Sequence, residues 1–342
     1  MRYVTIKDIA KALGISKSTV SRALSGDERN VGKETLRKIR EKANEMGYHR
    51  NELAVNLRSN TAHVIGVVVP EITTPFSMSF IASLQRYVAE EGYKVNIAFS
   101  NENPRTEREV LEMFVAGRVD GLVVSTCHNK ENLDYYRRLI ANNFPLVFFD
   151  RTIPEINASN VHSNDYIKAF FMVEHLIRTG KKKILHIAGP GYIQNSYERL
   201  RGYRDALEKF KIPYKKEYIL KIGVGVEEAA QVLDGILTSG NLEFDALFCF
   251  TETQALGAKR AIQEHGLLIP SDVAIACMSG TALSTLVYPQ LTAVEQRYDE
   301  MAKEAARLII KKINDPYSEP ETIVVSSVTS IRSSTSTEVP QF

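Results

Sequence analysis

Apolar positions change their rhythm along this chain. Near the amino terminus they recur at helical spacing. Ile6, Ile9, Ala10 and Leu13 predict a short helix, opened by Thr5 with Asp8 three residues on and closed by Gly14. After a three-residue turn, Ser16 can cap a second helix over 17–24. Its Val20, Ala23 and Leu24 fall on one side, and Lys17, Ser18, Ser21 and Arg22 on the other. A third helix turns Leu36, Ile39, Ala43 and Met46 inward and stops at Gly47. Residues 51–58 have room for two helical turns, fewer than the roughly 12–15 residues an isolated helix needs in water. That segment is expected to be helical only when something packs on it.

From residue 62 buried-strand runs alternate with amphipathic helices. Strands are predicted over 63–69, 93–99, 121–125, 146–149, 184–188, 218–222, 246–250 and 273–277, with a strand-like 322–325 near the end. Helices are predicted over 75–91, 104–116, up to 136, 170–178, 197–210, 227–237, 253–265 and 301–313. Such alternation means parallel sheets covered by helices, and two successive sets suggest two doubly wound subdomains with a cleft between them.

Charge follows the same division. Residues 1–60 carry 13 Lys and Arg against seven Asp and Glu, whereas the remainder carries 30 against 34. A basic end on a mildly acidic body points to polyanion contact at one end only. A polar helix face of Lys, two Ser and Arg suits the major groove, where Arg forks onto guanine and hydroxyls serve base or phosphate. The alternative, a helical hairpin with a merely solvated face, is weakened by the third helix and by this charge segregation. Cys127, Cys249 and Cys277 lie far apart in or beside apolar runs and read as buried thiols, not a disulfide or metal site. No run approaches the ~18 apolar residues of a membrane span. The first residues lack an apolar signal region, so a cytoplasmic protein is expected.

Val4 to Ala10, Gly14-Ile15-Ser16 and Thr19 to Leu24 together resemble the amino-terminal signature of the LacI/GalR family of transcriptional regulators. Val31, Thr35 and Gly47-Tyr48 with Asn51 fit it as well, and the resemblance covers nearly the whole chain. It implies an α/β protein with an N-terminal three-helix helix-turn-helix head plus hinge helix. Two doubly wound parallel α/β subdomains of the periplasmic-binding-protein-like, type I, kind would follow. The implied divisions are 1–48 for the DNA-binding head, 49–61 for the hinge and 62–342 for the effector-binding and dimerisation part. Within that part the N-subdomain takes about 62–162 plus 295–325, and the C-subdomain about 163–294 plus 326–342. Lys17, Ser18 and Arg22 would read base edges, while Thr5, Ser16, Thr19, Ser21, Asn30 and Thr35 would hold phosphates. The resemblance puts Ala54 and Leu57 of the hinge helix at the minor groove, with Leu57 as the wedge between base pairs. Arg50 departs from the pattern, standing where a Pro is usual.

Open parallel sheets bind ligands beyond the carboxyl ends of their strands. The residues following the strands include Thr74 and Phe76, Ser125, Asp150 and Arg151, then Asn195 and Arg199, Thr251, Ser279, and Gln296 at a crossover. Amides, carboxylates and guanidinium groups there suit a polyhydroxyl ligand, whose hydroxyls both donate and accept. The resemblance supports Phe76, Asp150, Arg151, Arg199 and Gln296 in particular. Ser279 stands where many members have an Asp that grips a sugar, and Thr251-Glu252 replaces the usual Asn-Asp. With fewer such carboxylates, and Arg151 and Arg199 present, a sugar acid or sugar phosphate joins a plain sugar as a candidate effector. There is no Trp, so stacking falls to Phe76 or a Tyr.

Catalytic motifs do not appear. Gly189-Pro190-Gly191 and Gly223-Val224-Gly225 lack dinucleotide-site spacing, and no nucleophile elbow is present. The seven His show no metal-ligand pattern, so no cofactor, metal or catalytic residue is expected. The expectation is a homodimeric, effector-controlled regulator that binds near-palindromic operator DNA and is neither an enzyme nor membrane-bound. The short polar tail lacks heptads, which argues against an appended tetramer zipper. A sugar-binding protein without DNA contact, or an enzyme using the α/β body, are the rival classes; residues 1–60 and the missing catalytic constellation argue against them.

Overall fold

A computed structural model describes residues 4–25, 31–48, 61–71, 75–128 and 130–336. The chain divides into two compact units, residues 1–62 and 63–342. The expected Asn30, Thr74, Ala54 and Leu57, with the rest of the hinge segment 49–60, lie outside the described residues.

In the first unit, helix α1 (Ile6–Leu13) begins at a reciprocal capping box. The Thr5 amide donates to Asp8 Oδ2 at 2.9 Å, and the Asp8 amide donates back to Thr5 Oγ1 at 3.4 Å. Gly14, at φ 65°, closes the helix in the left-handed conformation that only glycine adopts cheaply. Helix α2 (Lys17–Ser25) starts where Ser16 Oγ accepts the Thr19 amide at 3.1 Å, and α3 (Lys33–Glu45) follows. Ile9, Val20 and Ile39 contribute one fully buried side chain from each helix, with Ala10, Ala23, Leu36 and Ala43 around them. The three-helix head is therefore held by a small core of its own.

In the second unit the strands and helices alternate as β1 (Val64–Val69), α4 (Pro75–Glu90), β2 (Lys94–Phe99), α5 (Pro104–Ala116), β3 (Gly121–Val124), α6 (Leu133–Ala141), β4 (Leu146–Phe149) and β5 (Ser159–Ser163). Then come α7 (Asp165–Arg178), β6 (Ile184–Ala188), α8 (Gln194–Lys209), β7 (Ile219–Lys221), α9 (Val226–Ser239), β8 (Ala246–Cys249), α10 (Glu252–Glu264) and β9 (Ala274–Cys277). The short α11 (Leu283–Leu286), β10 (Thr292–Glu295), α12 (Tyr298–Asn314), β11 (Thr322–Val325) and β12 (Val328–Ser330) complete it. Two six-stranded sheets result, ordered β11-β5-β4-β3-β1-β2 and β12-β10-β9-β8-β6-β7. Every pairing is parallel except β10 with β12. The chain passes between the sheets three times, after β5, after β10 and after β11, so each lobe is assembled from discontinuous pieces.

Strands such as β3, β4, β6 and β8 are buried on both faces and read as continuous apolar runs, as helix-covered parallel strands must. Each lobe has apolar clusters on both sides of its sheet, and α12 packs Met301, Ala302, Ala305, Leu308 and Ile309 onto the first lobe. Cys127, Cys249 and Cys277 are buried free thiols. No helix among the described residues is long and apolar enough to cross a membrane.

Candidate functional site

The head presents a polar face on α2. Lys17 and Ser18 are exposed, while Thr19, Ser21 and Arg22 are half-buried. Ser16 Oγ lies 2.8 Å from Ser18 Oγ and 2.7 Å from Thr19 Oγ1, which clusters three hydroxyls at the amino end of α2. Arg22 Nε donates to the Ser18 carbonyl at 3.4 Å, one turn back along the helix. Thr5 is exposed at the start of α1, its hydroxyl donating to Asp8 at 2.7 Å, and Thr35 lies in the first turn of α3. A helix N-terminus and its hydroxyls favour phosphate oxygens, and the Lys17 and Arg22 cations can reach base acceptors.

In the second unit, the carboxyl ends of both sheets face one cleft. Phe76, Ser125, Asp150, Arg151, Asn195, Arg199, Thr251, Ser279 and Gln296, nine of the ten residues expected from sequence for the ligand, line it together. Asp150 and Ser279, each just past a strand, take positive φ of 55°, as does Glu102 at 54°. Non-glycine residues there carry strain that the surrounding structure must hold, a frequent property of functional sites.

A hydrogen-bonded chain runs along this cleft. Asn195 Nδ2 of the second lobe and Gln296 Nε2 of a crossover each donate to Asp150 Oδ1 of the first lobe at 3.1 Å. Gln296 also donates to Ser163 Oγ at 3.1 Å, and Ser163 passes the chain on to Asp165 Oδ2 at 2.7 Å. Arg199, 2% exposed, donates through Nε to Asp165 Oδ1 and through Nη1 to the Phe250 carbonyl, both at 2.6 Å. Its guanidinium also stacks over the Phe250 ring, 4.4 Å from the centroid. Burial, followed by the neighbouring Asp165, pushes the Asp150 carboxyl above the usual carboxylate range. The lobes also meet where His128 of the first stacks on Tyr192 of the second, with ring centroids 4.9 Å apart and 9° between planes.

The cleft encloses about 60 Å³, far below the roughly 300 Å³ at which small-molecule sites begin. The lobes therefore leave little free space between them. A wider groove of about 560 Å³ lies beside it and shares the Asp150 and Asn195 partition. Only those two of the expected residues reach that groove, so the chemistry points to the narrower cleft.

The structure adds residues that periodicity and spacing do not single out. Glu102 takes both of its hydrogen bonds from Arg151 Nη1, at 2.8 and 2.9 Å. Asp165 neutralises Arg199. Glu252, 2% exposed, accepts from the Thr281 amide at 2.9 Å and from the Thr281 and Ser284 hydroxyls. Glu71 lines the cleft with a buried Oε1 that has no hydrogen-bond partner among the described residues. The one sequence signal for Glu71 is its place just past β1, a few residues before the expected Thr74 and Phe76.

Comparison with known proteins decides the family. Residues 5–51 match the bacterial regulatory proteins of the lacI family, and residues 173–335 match the periplasmic binding protein-like domain. The HTH-type transcriptional repressor PurR of Actinobacillus pleuropneumoniae serotype 3 (strain JL03) is 27% identical over 322 residues, spanning 93% of this chain and 94% of that protein. The chain belongs to the lacI family. Its likeness to other lacI-family regulators extends to solved structures. A complex of the transcriptional regulator CelR with cellobiose superposes with TM-score 0.73 and 25% identity, covering 97% of this chain and 99% of CelR. The lac repressor dimer bound to operator superposes with TM-score 0.84 at 21% identity, covering 98% and 99%, a likeness of fold. This lacI-family protein is thus a DNA-binding transcriptional regulator with an effector-binding body.

Proposed function

We propose that this lacI-family regulator acts in the cytoplasm as a homodimeric repressor of near-palindromic operator DNA. Its affinity for that DNA is set by a sugar or sugar derivative held between the two lobes, and it catalyses no reaction. The head, residues 1–48, reads the operator; residues 49–61 link it to the body, 62–342, which binds effector and partner. CelR is seen with cellobiose, and the cleft here offers amides and carboxylates facing one another across the lobes, groups that suit the hydroxyls of a sugar. The observation that carries the reading is the convergence of nine separated residues on one interlobe cleft, tied by Asn195 and Gln296 to Asp150.

On DNA, Lys17, Ser18 and Arg22 contact base edges, and Thr5, Ser16, Thr19, Ser21 and Thr35 fix register through phosphates. Arg22→Ala is expected to cost roughly 1–3 kcal/mol of operator affinity and to relax preference at one base pair per half-site. Binding-site selection from random duplexes with the parent and variant proteins checks this. Identical selected sequences would remove Arg22 from the readout.

A further inference from the structure

The cleft's charges are unevenly satisfied. Its lining holds two guanidinium groups, Arg151 and Arg199, and three carboxylates, Glu71, Asp150 and Glu252. Each arginine is already matched by a carboxylate that is not part of the lining: Glu102 for Arg151 at 2.8 Å and Asp165 for Arg199 at 2.6 Å. The three lining carboxylates have no such match. Asp150 accepts from the neutral amides of Asn195 and Gln296, and Glu252 from a backbone amide and two hydroxyls. Glu71 Oε1 is buried without a partner among the described residues. A buried acceptor left unmade is costly, and one on a carboxylate more so.

We infer that the effector carries a protonated amine seated on Glu71, together with hydroxyl groups for Asp150 and the amides around it. Its class is an amino sugar or a similarly hydroxylated amine. The inference rests on reading this cleft as the effector site and narrows what that site takes. A neutral hydroxyl satisfies the hydrogen-bond vacancy on Glu71 but leaves the charge of this half-buried carboxylate uncompensated between the lobes, where charges act more strongly than in open water. An ammonium group satisfies both, through a charge-assisted bond. A phosphate or acid group meets the opposite situation. It faces three unmatched carboxylates, and either arginine it reaches already has its charge offset by Glu102 or Asp165. The crowding also shows just behind the lining. Burial first, with Glu71 and Glu107 adding to it against the opposing pull of Arg151, holds the Glu102 carboxyl above the usual carboxylate range.

The test is calorimetric titration of the full chain with matched sets on several hexose skeletons: the parent sugar, its 2-amino analogue, the N-acetylated amine, the uronic acid and the 6-phosphate. On one skeleton the free amine is expected to bind at least about tenfold more tightly than its parent and its N-acetyl form. Glu71→Gln should abolish that preference, so that the amine and its parent sugar bind with affinities within about threefold of each other. Binding of the amine should also weaken as pH rises and the ammonium loses its proton, which a merely structural role for Glu71 does not produce. A set in which no amine binds overturns the inference, as does tighter binding of a neutral, acidic or phosphorylated member. Unchanged amine affinity in Glu71→Gln overturns it too. Ser125→Phe, which fills the cleft, separates the two failures. If a neutral or acidic sugar binds and Ser125→Phe blocks it, the effector site stands and only the amine falls. If bound ligands ignore Ser125→Phe, the effector reading falls with it.

Discussion

At the scale of single residues, the cleft is built around side chains whose charge is resolved locally. Arg199 is the largest fully buried side chain, and its cation is matched by Asp165. Removing one partner of such a pair leaves the other charged and buried. Arg199→Met is therefore expected to cost about 3–5 kcal/mol of stability. Adding Asp165→Asn should recover a good part of that loss, and urea unfolding of both variants measures it. His186 behaves differently. It is fully buried between Tyr203 and Phe248, its Nδ1 2.8 Å from the Phe248 carbonyl, and burial drives its pKa down to about 4. Below the ordinary imidazole value, near 6.5, the unfolded chain takes up a proton that the folded chain refuses. Stability from this group is complete above that value and falls as pH drops toward 4, by up to about 3 kcal/mol. A pH series of unfolding curves should show this slope, and His186→Gln, which keeps a donor for Phe248, should flatten it. The pairings that matter in the cleft are hidden in the sequence, because Glu102 finds Arg151 and Asp165 finds Arg199 at separations of 49 and 34 positions.

At the scale of elements, local signals succeed where local forces decide. The capping box at Thr5, the Gly14 stop and the Ser16 cap are short-range devices, and the structure contains all three. Elements fixed by distant partners are not legible. β5 has one aliphatic residue, Val161, in five positions; it is a strand because β4 and β11 flank it. The first turn of α7 and the start of α8 escape the hydrophobic pattern for a related reason. Asp165, Asn195 and Ser196 are polar but buried, and tertiary hydrogen bonds hold them there. Close helix packing also shows in one residue. A Cβ on Gly257 in α10 would lie 2.1 Å from the Val226 carbonyl oxygen of α9, a backbone atom that cannot swing aside. Gly257→Ala is expected to destabilise the body by about 1–3 kcal/mol despite alanine's better helix propensity. Thermal unfolding of the variant checks it; a neutral or stabilising result would mean the two helices separate easily.

At the scale of the whole molecule, a basic three-helix head and a two-lobed body meet the two requirements of a ligand-controlled regulator. The lining of the cleft is legible in the sequence, since ligands of parallel sheets gather where the strands end. The state of that cleft is not, because it depends on how the lobes close and on which charges already have partners. A ligand that fills this narrow cleft is expected to change DNA affinity, a coupling typically of ~1–3 kcal/mol. The most direct measurement is the affinity of the full chain for its selected duplex, titrated with and without a saturating cleft ligand. Ligand control through the cleft predicts a preferred duplex whose affinity shifts by about 5–150-fold on ligand binding. A saturated cleft with unchanged DNA affinity, or equal weak binding to every duplex, would contradict it.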